Sequence, residues 1–370
     1  MIPYGHQHID EEDLKAVAEV LTSDFLTTGP AVGTFEERVA AFCGAEHAVA
    51  VSSGTAALHV AMLALGIGPG DEVIVPPITF VATANCARFV GATPVFADVD
   101  ENTLLIDPES VESKITSRTR AIIAVDYAGQ PCDWTALNRI ARQHGLKLVA
   151  DACHAIGATY ESKPVGTHAD MTIFSFHPVK QITTGEGGLI ATNDPDIARQ
   201  CRLYRNHGIT TDSRQRDANN AWFYEMTELG FNYRMTDIQA ALGTSQLKKL
   251  PGFLERRREI AARYDALFAG AANVEPLEYL SGREHAYHLY VVKVADRDAM
   301  YRKLRAQGVG VNVHYIPVHL QPYYRRQLGT GPGDCPVAEA AYERILSLPM
   351  FPDLADADVE FVAGLLLDGK

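Results

Sequence analysis

The chain is short of positive charge: its 370 residues carry 33 Lys and Arg against 46 Asp and Glu, a net charge of −13. That balance argues against a nucleic-acid or anionic-membrane surface, without pointing to any one small substrate. Long apolar runs are also lacking, and stretches such as FVAGLLL near the end are far too short to span a bilayer. The six cysteines (Cys43, Cys86, Cys132, Cys153, Cys201, Cys335) include no CxxC pair and no metal-type Cys/His spacing. Buried free thiols in a reducing compartment are expected, with no metal centre. The opening MIPYGHQHIDEEDLKAVAEVL lacks the basic-then-apolar layout of a signal peptide, so a soluble cytoplasmic protein is expected. No GxGxxG follows the first strand-like run and no GxxxxGK[ST] occurs, which disfavours a nucleotide-dependent dehydrogenase or kinase. Internal repeats, low-complexity tracts and Gly/Ser linkers are missing as well.

What the first two-thirds of the chain does contain is an alternation of short apolar strands and helical patterns. AVAVSS runs into GTAALHVAMLALG, DEVIVPP into TFVATANCARFVG, and AIIAVDYAG into DWTALNRIARQHG and LKLVADACH. Strands separated by helices of about 10–15 residues mark an α/β domain with a mainly parallel sheet. The segment from Met235 to Ala269 reads as a long helix interrupted around Pro251-Gly252. Beyond it AYHLYVVKV, the helical RDAMYRKLRAQG and the strand VGVNVHY suggest a smaller unit, closed by helices at PVAEAAYERIL and ADVEFVAGLLL. The expected division is a large domain over 1–250, with an N-terminal arm, and a small C-terminal α+β domain over 251–370.

Three local patterns could carry chemistry. At Ser52-Ser53-Gly54-Thr55 a strand turns at once into a helix, whose first N–H groups form an anion site; plain N-capping explains the same residues. Asp151 ends the apolar strand Leu148-Val149-Ala150, where ligands of open α/β sheets bind, and would serve equally as an N-cap. His154, three residues on, faces that cleft or is a core histidine. Lys180 lies between the apolar runs Ile173-Phe174-Ser175-Phe176 and GGLIATN, where an unpaired ammonium is costly. In this order the three patterns suit a pyridine cofactor with a phosphate tail. The phosphate takes helix N–H groups, the ring nitrogen takes a carboxylate, and the aldehyde takes a lysine amine freed by desolvation.

On these residues, and on SSGTAALH, DEVIVPPITFVATANC, VADACHA, SFHPVK with TTGEGG, LGFNYRMTDIQAALG and HYIPVHLQPYY, the chain resembles a known family. It is the fold-type-I, pyridoxal-phosphate-dependent aminotransferases of nucleotide-linked keto-sugars (DegT/DnrJ/EryC1/StrS). The end motifs look most like the branch making a 4-amino-4,6-dideoxy sugar on the pseudaminic acid route. The resemblance covers essentially the whole chain. It implies pyridoxal 5'-phosphate as cofactor, joined to Lys180 as a Schiff base, with pyridoxamine phosphate as intermediate. Asp151 would pair with the ring nitrogen, Gly54, Thr55 and Ser175 lie at the phosphate, Phe80 stack on the ring, and His154 approach its phenolic oxygen. Asn232 would reach the phosphate in a neighbouring subunit, giving a homodimer with shared sites. For the sugar nucleotide the resemblance points to Tyr4, to Phe25, Leu26, Thr27 and Thr28, and to His314, Tyr315, Ile316 and Pro317. The implied reaction moves an amino group from L-glutamate to C4 of a UDP-linked 4-keto-6-deoxy sugar, or to a bacillosamine- or perosamine-type relative. In a dehydratase relative a histidine replaces the lysine, which Lys180 opposes. A regulatory protein that kept the fold without chemistry would normally lose Lys180 or Asp151.

Overall fold

The computed structural model describes residues 1–211 and 213–368. Its main sheet contains β1 (His47–Val51), β2 (Glu72–Val75), β3 (Thr93–Phe96), β4 (Thr119–Val125), β5 (Lys147–Asp151), β6 (Met171–Ser175) and β7 (Gly188–Thr192). The order is β1-β7-β6-β5-β4-β2-β3. The run from β6 to β3 is parallel, and β7 lies antiparallel to both its neighbours. β2 and most of β5 are buried on both faces, as expected for strands covered by crossover helices. The sheet is therefore the mainly parallel α/β sheet expected. Its one reversed strand is β7, which returns from β6 through the loop 176–187; that loop holds no crossover helix of the kind that joins parallel strands.

A second sheet joins β8 (Val274–Pro276), β9 (Tyr290–Val294) and β10 (Ile345–Leu348), all antiparallel. Here the structure departs from the sequence expectations in three places. The helix Asp237–Phe268 is continuous through Pro251. Pro251 and Gly252 face solvent while Leu250 and Leu254 are buried, so water can satisfy the carbonyl that the proline leaves free. The helix expected through Leu346 stops at Tyr342, and Ile345 and Leu346 enter β10. The expected strand at Val309–Tyr315 makes only isolated bridges, Val309 to the arm residue Ile2 and Asn312 to Ser347 of β10, and so does not extend into a ladder.

The apolar clusters also divide otherwise than at residue 250, which lies inside the long helix. One cluster gathers Ile260 to Leu366 with Ile2 packed against it. Yet Val318, Tyr324, Cys335 and Ala338 belong to the cluster of the large sheet. Beside the C-terminal cluster, Arg257 clamps the long helix to two loops: its Nη1 donates to Tyr287 O and Met350 O at 3.0 Å each. Burial lowers its guanidinium to about 10. Arg257→Met should lower stability by about 2–4 kcal/mol, because two buried carbonyls lose their donor. An unchanged urea midpoint would exclude that clamp.

The cysteines are all free, five buried and Cys153 half-buried. Among the described residues no helix is long and apolar enough to cross a membrane, and no group of three or more His, Cys, Asp or Glu is placed to hold a metal.

Candidate active site

The site forms at the carboxyl ends of the parallel strands. Gly188 opens β7 opposite both Val51 and Ser175. That register sets the start of helix Gly54–Ala64 beside the end of β6. Ser53 caps this helix: its Oγ accepts from Ala56 N at 3.1 Å and its carbonyl from Ala57 N at 3.0 Å. The cap and the anion site are thus compatible, since helix geometry leaves the N–H groups of Gly54 and Thr55 at the open end. A Cβ on Gly54 would lie 3.1 Å from Ser175 Cβ and 3.3 Å from Cys153 Sγ, so the three residues enclose a cradle that only glycine leaves open.

Gly188 itself has no room for a side chain. A Cβ there would stand 2.3 Å from Ser53 O and 2.6 Å from Gly54 N. Gly188→Ala must push the helix start outward, and it should weaken binding of pyridoxal phosphate at least about 10-fold. Titration followed by visible absorbance measures this; wild-type affinity would show that the helix start does not hold the phosphate.

Asp151 is 5% exposed. No helix follows it, so it is not an N-cap. Its Oδ2 accepts from Thr83 Oγ1 at 2.7 Å and its Oδ1 from Cys153 N at 3.3 Å. Thr83 is in turn 2.7 Å from Thr79 Oγ1. Lys180 enters from the loop 176–187, which is pinned by Phe176 N to Gly187 O and Thr184 N to Phe176 O, with Phe176 edge-on to Phe35. Its backbone N–H closes a turn onto His177 O at 2.9 Å. Burial pushes the Lys180 ammonium down to about 8, partly offset by Cys153 and Asp151. The residue is therefore an amine that sheds its proton close to neutrality, opposite a buried carboxylate.

His154 is also in this cleft. Its Nδ1 accepts from Ala128 N at 3.2 Å, which puts the ring proton on Nε2, 3.1 Å from Tyr315 Oη. Burial, with Lys180 next, holds it well below the usual histidine range. Phe80 is 57% exposed, with its ring 6.1 Å from that of Tyr315. Tyr4 lies 5.6 Å from His314, ring to ring. His314 bonds to Ser347 Oγ at 2.8 Å and sits at about 3, lowered by burial and then by Lys180. Pro317 is buried and Ile316 exposed.

The remaining candidates lie elsewhere in the single chain. The segment Phe25–Thr28 bonds to the start of the long helix, through Asp237 N to Leu26 O and a Thr27–Thr236 bridge. Thr28 lines a concavity of about 910 Å³ with Arg202, Arg205 and Arg234, which does not include Lys180. Asn232 is exposed and bridges Asn206 through its backbone. Sequence reading missed Thr83, Tyr127 and His288. Tyr127 donates to His314 O, and His288 Nε2 lies 3.3 Å from Lys180 Nζ. Neither Thr83 nor His288 had a local signal, since each reads as part of an ordinary helix or strand.

The donor set fits a phosphorylated pyridine aldehyde: a cradle at Gly54, a carboxylate at the floor, an aromatic ring with an open face and a depressed lysine. The comparisons agree. Residues 7–367 match the profile of the DegT/DnrJ/EryC1/StrS aminotransferase family. The spore coat polysaccharide biosynthesis protein SpsC of Bacillus subtilis is 44% identical over 99% of this chain and 96% of its own. Spr1654 of Streptococcus pneumoniae, in its PMP-form, superposes with a TM-score of 0.95 at 33% identity, over 100% of this chain and 98% of the other; its PLP-form gives 0.94. PseC of Helicobacter pylori, an aminotransferase involved in the biosynthesis of pseudoaminic acid, gives 0.93 at 34% identity over 99% and 98%. With family match and site geometry in accord, the chain belongs to the DegT/DnrJ/EryC1/StrS aminotransferase family and is a pyridoxal-phosphate-dependent sugar aminotransferase of the fold-type-I class.

Proposed function

We propose that this enzyme transfers the amino group of L-glutamate to C4 of a UDP-linked 4-keto-6-deoxy amino sugar, as on a pseudaminic acid route. The observation that carries the chemistry is geometric: Lys180 stands 3.3 Å from His288 in the charge field of the buried Asp151, and Gly54 and Ser175 meet at the helix start. When bound, the cofactor supplies an electron sink and a carbon that holds the amino group between donor and acceptor. Lys180 would be the amine that holds its aldehyde, and as a free amine it would remove and return the proton at each half of the transfer. Asp151 would hold the proton on the ring nitrogen, while Gly54, Thr55 and Ser175 would take the phosphate. His154 would approach the ring's phenolic oxygen, and Phe80 would cover a face.

Similarity to PseC supports the choice of sugar. A second reading is a different 4-keto-6-deoxy nucleotide sugar of bacillosamine or perosamine type; the higher identity to SpsC, a spore coat polysaccharide biosynthesis protein, favours a surface-polysaccharide product without choosing the sugar. Tyr4 and the His314–Pro317 segment would contact the sugar nucleotide. Phe25–Thr28 and Asn232 would serve the site of a second copy in a homodimer. Support for that copy comes from the exposed apolar residues Phe25, Leu26, Trp222, Met226 and Leu229.

The deciding experiment incubates the holoenzyme with glutamate and a panel of UDP- and dTDP-linked 4-keto sugars, with product mass and NMR as readout. Amination at C4 of the UDP-linked L-configured sugar is expected. Preference for another member of the panel would replace the sugar but keep the enzyme class.

A further inference from the structure

His288 is 4% exposed, and its Nε2 stands 3.3 Å from Lys180 Nζ. The other ring nitrogen, Nδ1, is buried with no hydrogen-bond partner among the described residues. A neutral imidazole has one N–H and one lone pair. With the proton on Nδ1, a buried donor would face nothing, the rarer and costlier arrangement; with the proton on Nε2, only an acceptor goes unpaired. The proton therefore belongs on Nε2, aimed at Nζ. An uncharged amine can accept that bond, and an ammonium, having no lone pair, cannot.

The surroundings keep the ring neutral. Burial first, then Lys180, His154, Arg257 and His314, hold His288 well below the usual histidine range. The loop that delivers it is fixed to the turn before His154, by Ala286 N to Gly129 O at 2.9 Å and Leu289 N to Ala128 O at 3.1 Å. Lys180 is also faced by Asp151 and Cys153, which favour its charged form, and by His154 and His314, whose neutral rings do not.

We propose that His288 is a positioning residue that donates a hydrogen bond from Nε2 to the free amine of Lys180, favouring and orienting the uncharged form when the amine is not joined to the cofactor. The inference rests on the reading of Lys180 as the cofactor-bearing lysine. Its consequence is a two-position lysine. As an amine, Lys180 sits against His288 with its lone pair engaged. On taking a proton it loses that bond and is released toward the cleft, where the proton can be returned.

The test reads Lys180 directly, without turnover. Competitive acylation of the full-length apoprotein across pH, with peptide mass spectrometry, gives the titration of Lys180. In the wild type it should fall near 8. In His288→Phe, which keeps the ring volume but removes the donor, it should rise by about one pH unit, the worth of one buried hydrogen bond. His288→Gln, whose amide N–H can reach the same position, should keep the lower value. The tautomer is checked in the unmodified protein by ¹⁵N NMR of the histidine rings, with His288→Gln used for assignment: His288 should carry its proton on Nε2.

A proton found on Nδ1, or a Lys180 titration that stays put or falls in His288→Phe, overturns the proposal. The visible absorbance band formed with pyridoxal phosphate separates this from the broader reading. A wild type that forms no band sinks the role of Lys180 itself. A normal band with unmoved titration in His288→Phe sinks only that of His288.

Discussion

Lys180→Ala should abolish the visible absorbance band and reduce turnover with glutamate and a keto sugar by about 10,000-fold or more. Two contributions disappear together. The covalent anchor of the aldehyde is lost, and so is the base that moves the proton in both halves of the transfer; the second alone is worth about 100- to 10,000-fold. The fold should survive. The loop around Lys180 is held by backbone bonds of Phe176 and Thr184 and by the buried Phe176 ring, none of which involves the amine. Removing a cation whose burial already lowers it to about 8 also takes away a desolvation cost. The checks are steady-state kinetics, an absorbance spectrum and a urea midpoint. A retained band with full turnover would end the assignment of residue 180.

Asp151→Asn is the second large effect, expected at about 1000-fold in kcat with little change in stability. The geometry allows the amide to fit. Its oxygen can keep the bond from Cys153 N, and its NH₂ can donate to Thr83 Oγ1 if that hydroxyl turns to donate to Thr79 Oγ1, 2.7 Å away. What an amide lacks is the negative charge that keeps a ring nitrogen protonated. Catalysis should therefore fall while the cofactor band and the folded state persist. Wild-type kcat in this variant would show that Asp151 does not face the ring nitrogen. Loss of folding would mean that the carboxylate serves the end of β5 instead.

The contrast between these two residues and Thr83 indicates what local sequence can reveal. Lys180 is conspicuous because a charge interrupts an apolar hairpin, and Asp151 because a carboxylate ends an apolar strand; both violations lie within a few residues. Thr83 is an unremarked threonine in a helical stretch. It matters only because the fold brings it to within hydrogen-bond reach of a side chain 68 positions later in the chain. His288 is further hidden, 108 positions from Lys180 and read as the start of a β-branched strand. The long helix failed differently. Pro251 is a local breaker by composition, but whether it breaks depends on which face it occupies, and burial of Leu250 and Leu254 turns it to solvent. Phe25–Thr28 and Asn232 came from resemblance, and in the single chain they bond to the long-helix start and to Asn206.

By itself the sequence determined the succession of strands and helices, the mainly parallel sheet, and the residues whose chemistry is written in their immediate neighbours: Gly54 at a helix start, Asp151 at a strand end, Lys180 in a hairpin. Periodicity and out-of-place charge are short-range properties, so they survive in one dimension. Only the tertiary structure decided which side chains complete them. Thr83 beneath Asp151, Tyr315 against His154 and His288 against Lys180 are pairings across loops and strands, and a hydrogen bond depends on distances of about 3 Å that no spacing along the chain encodes.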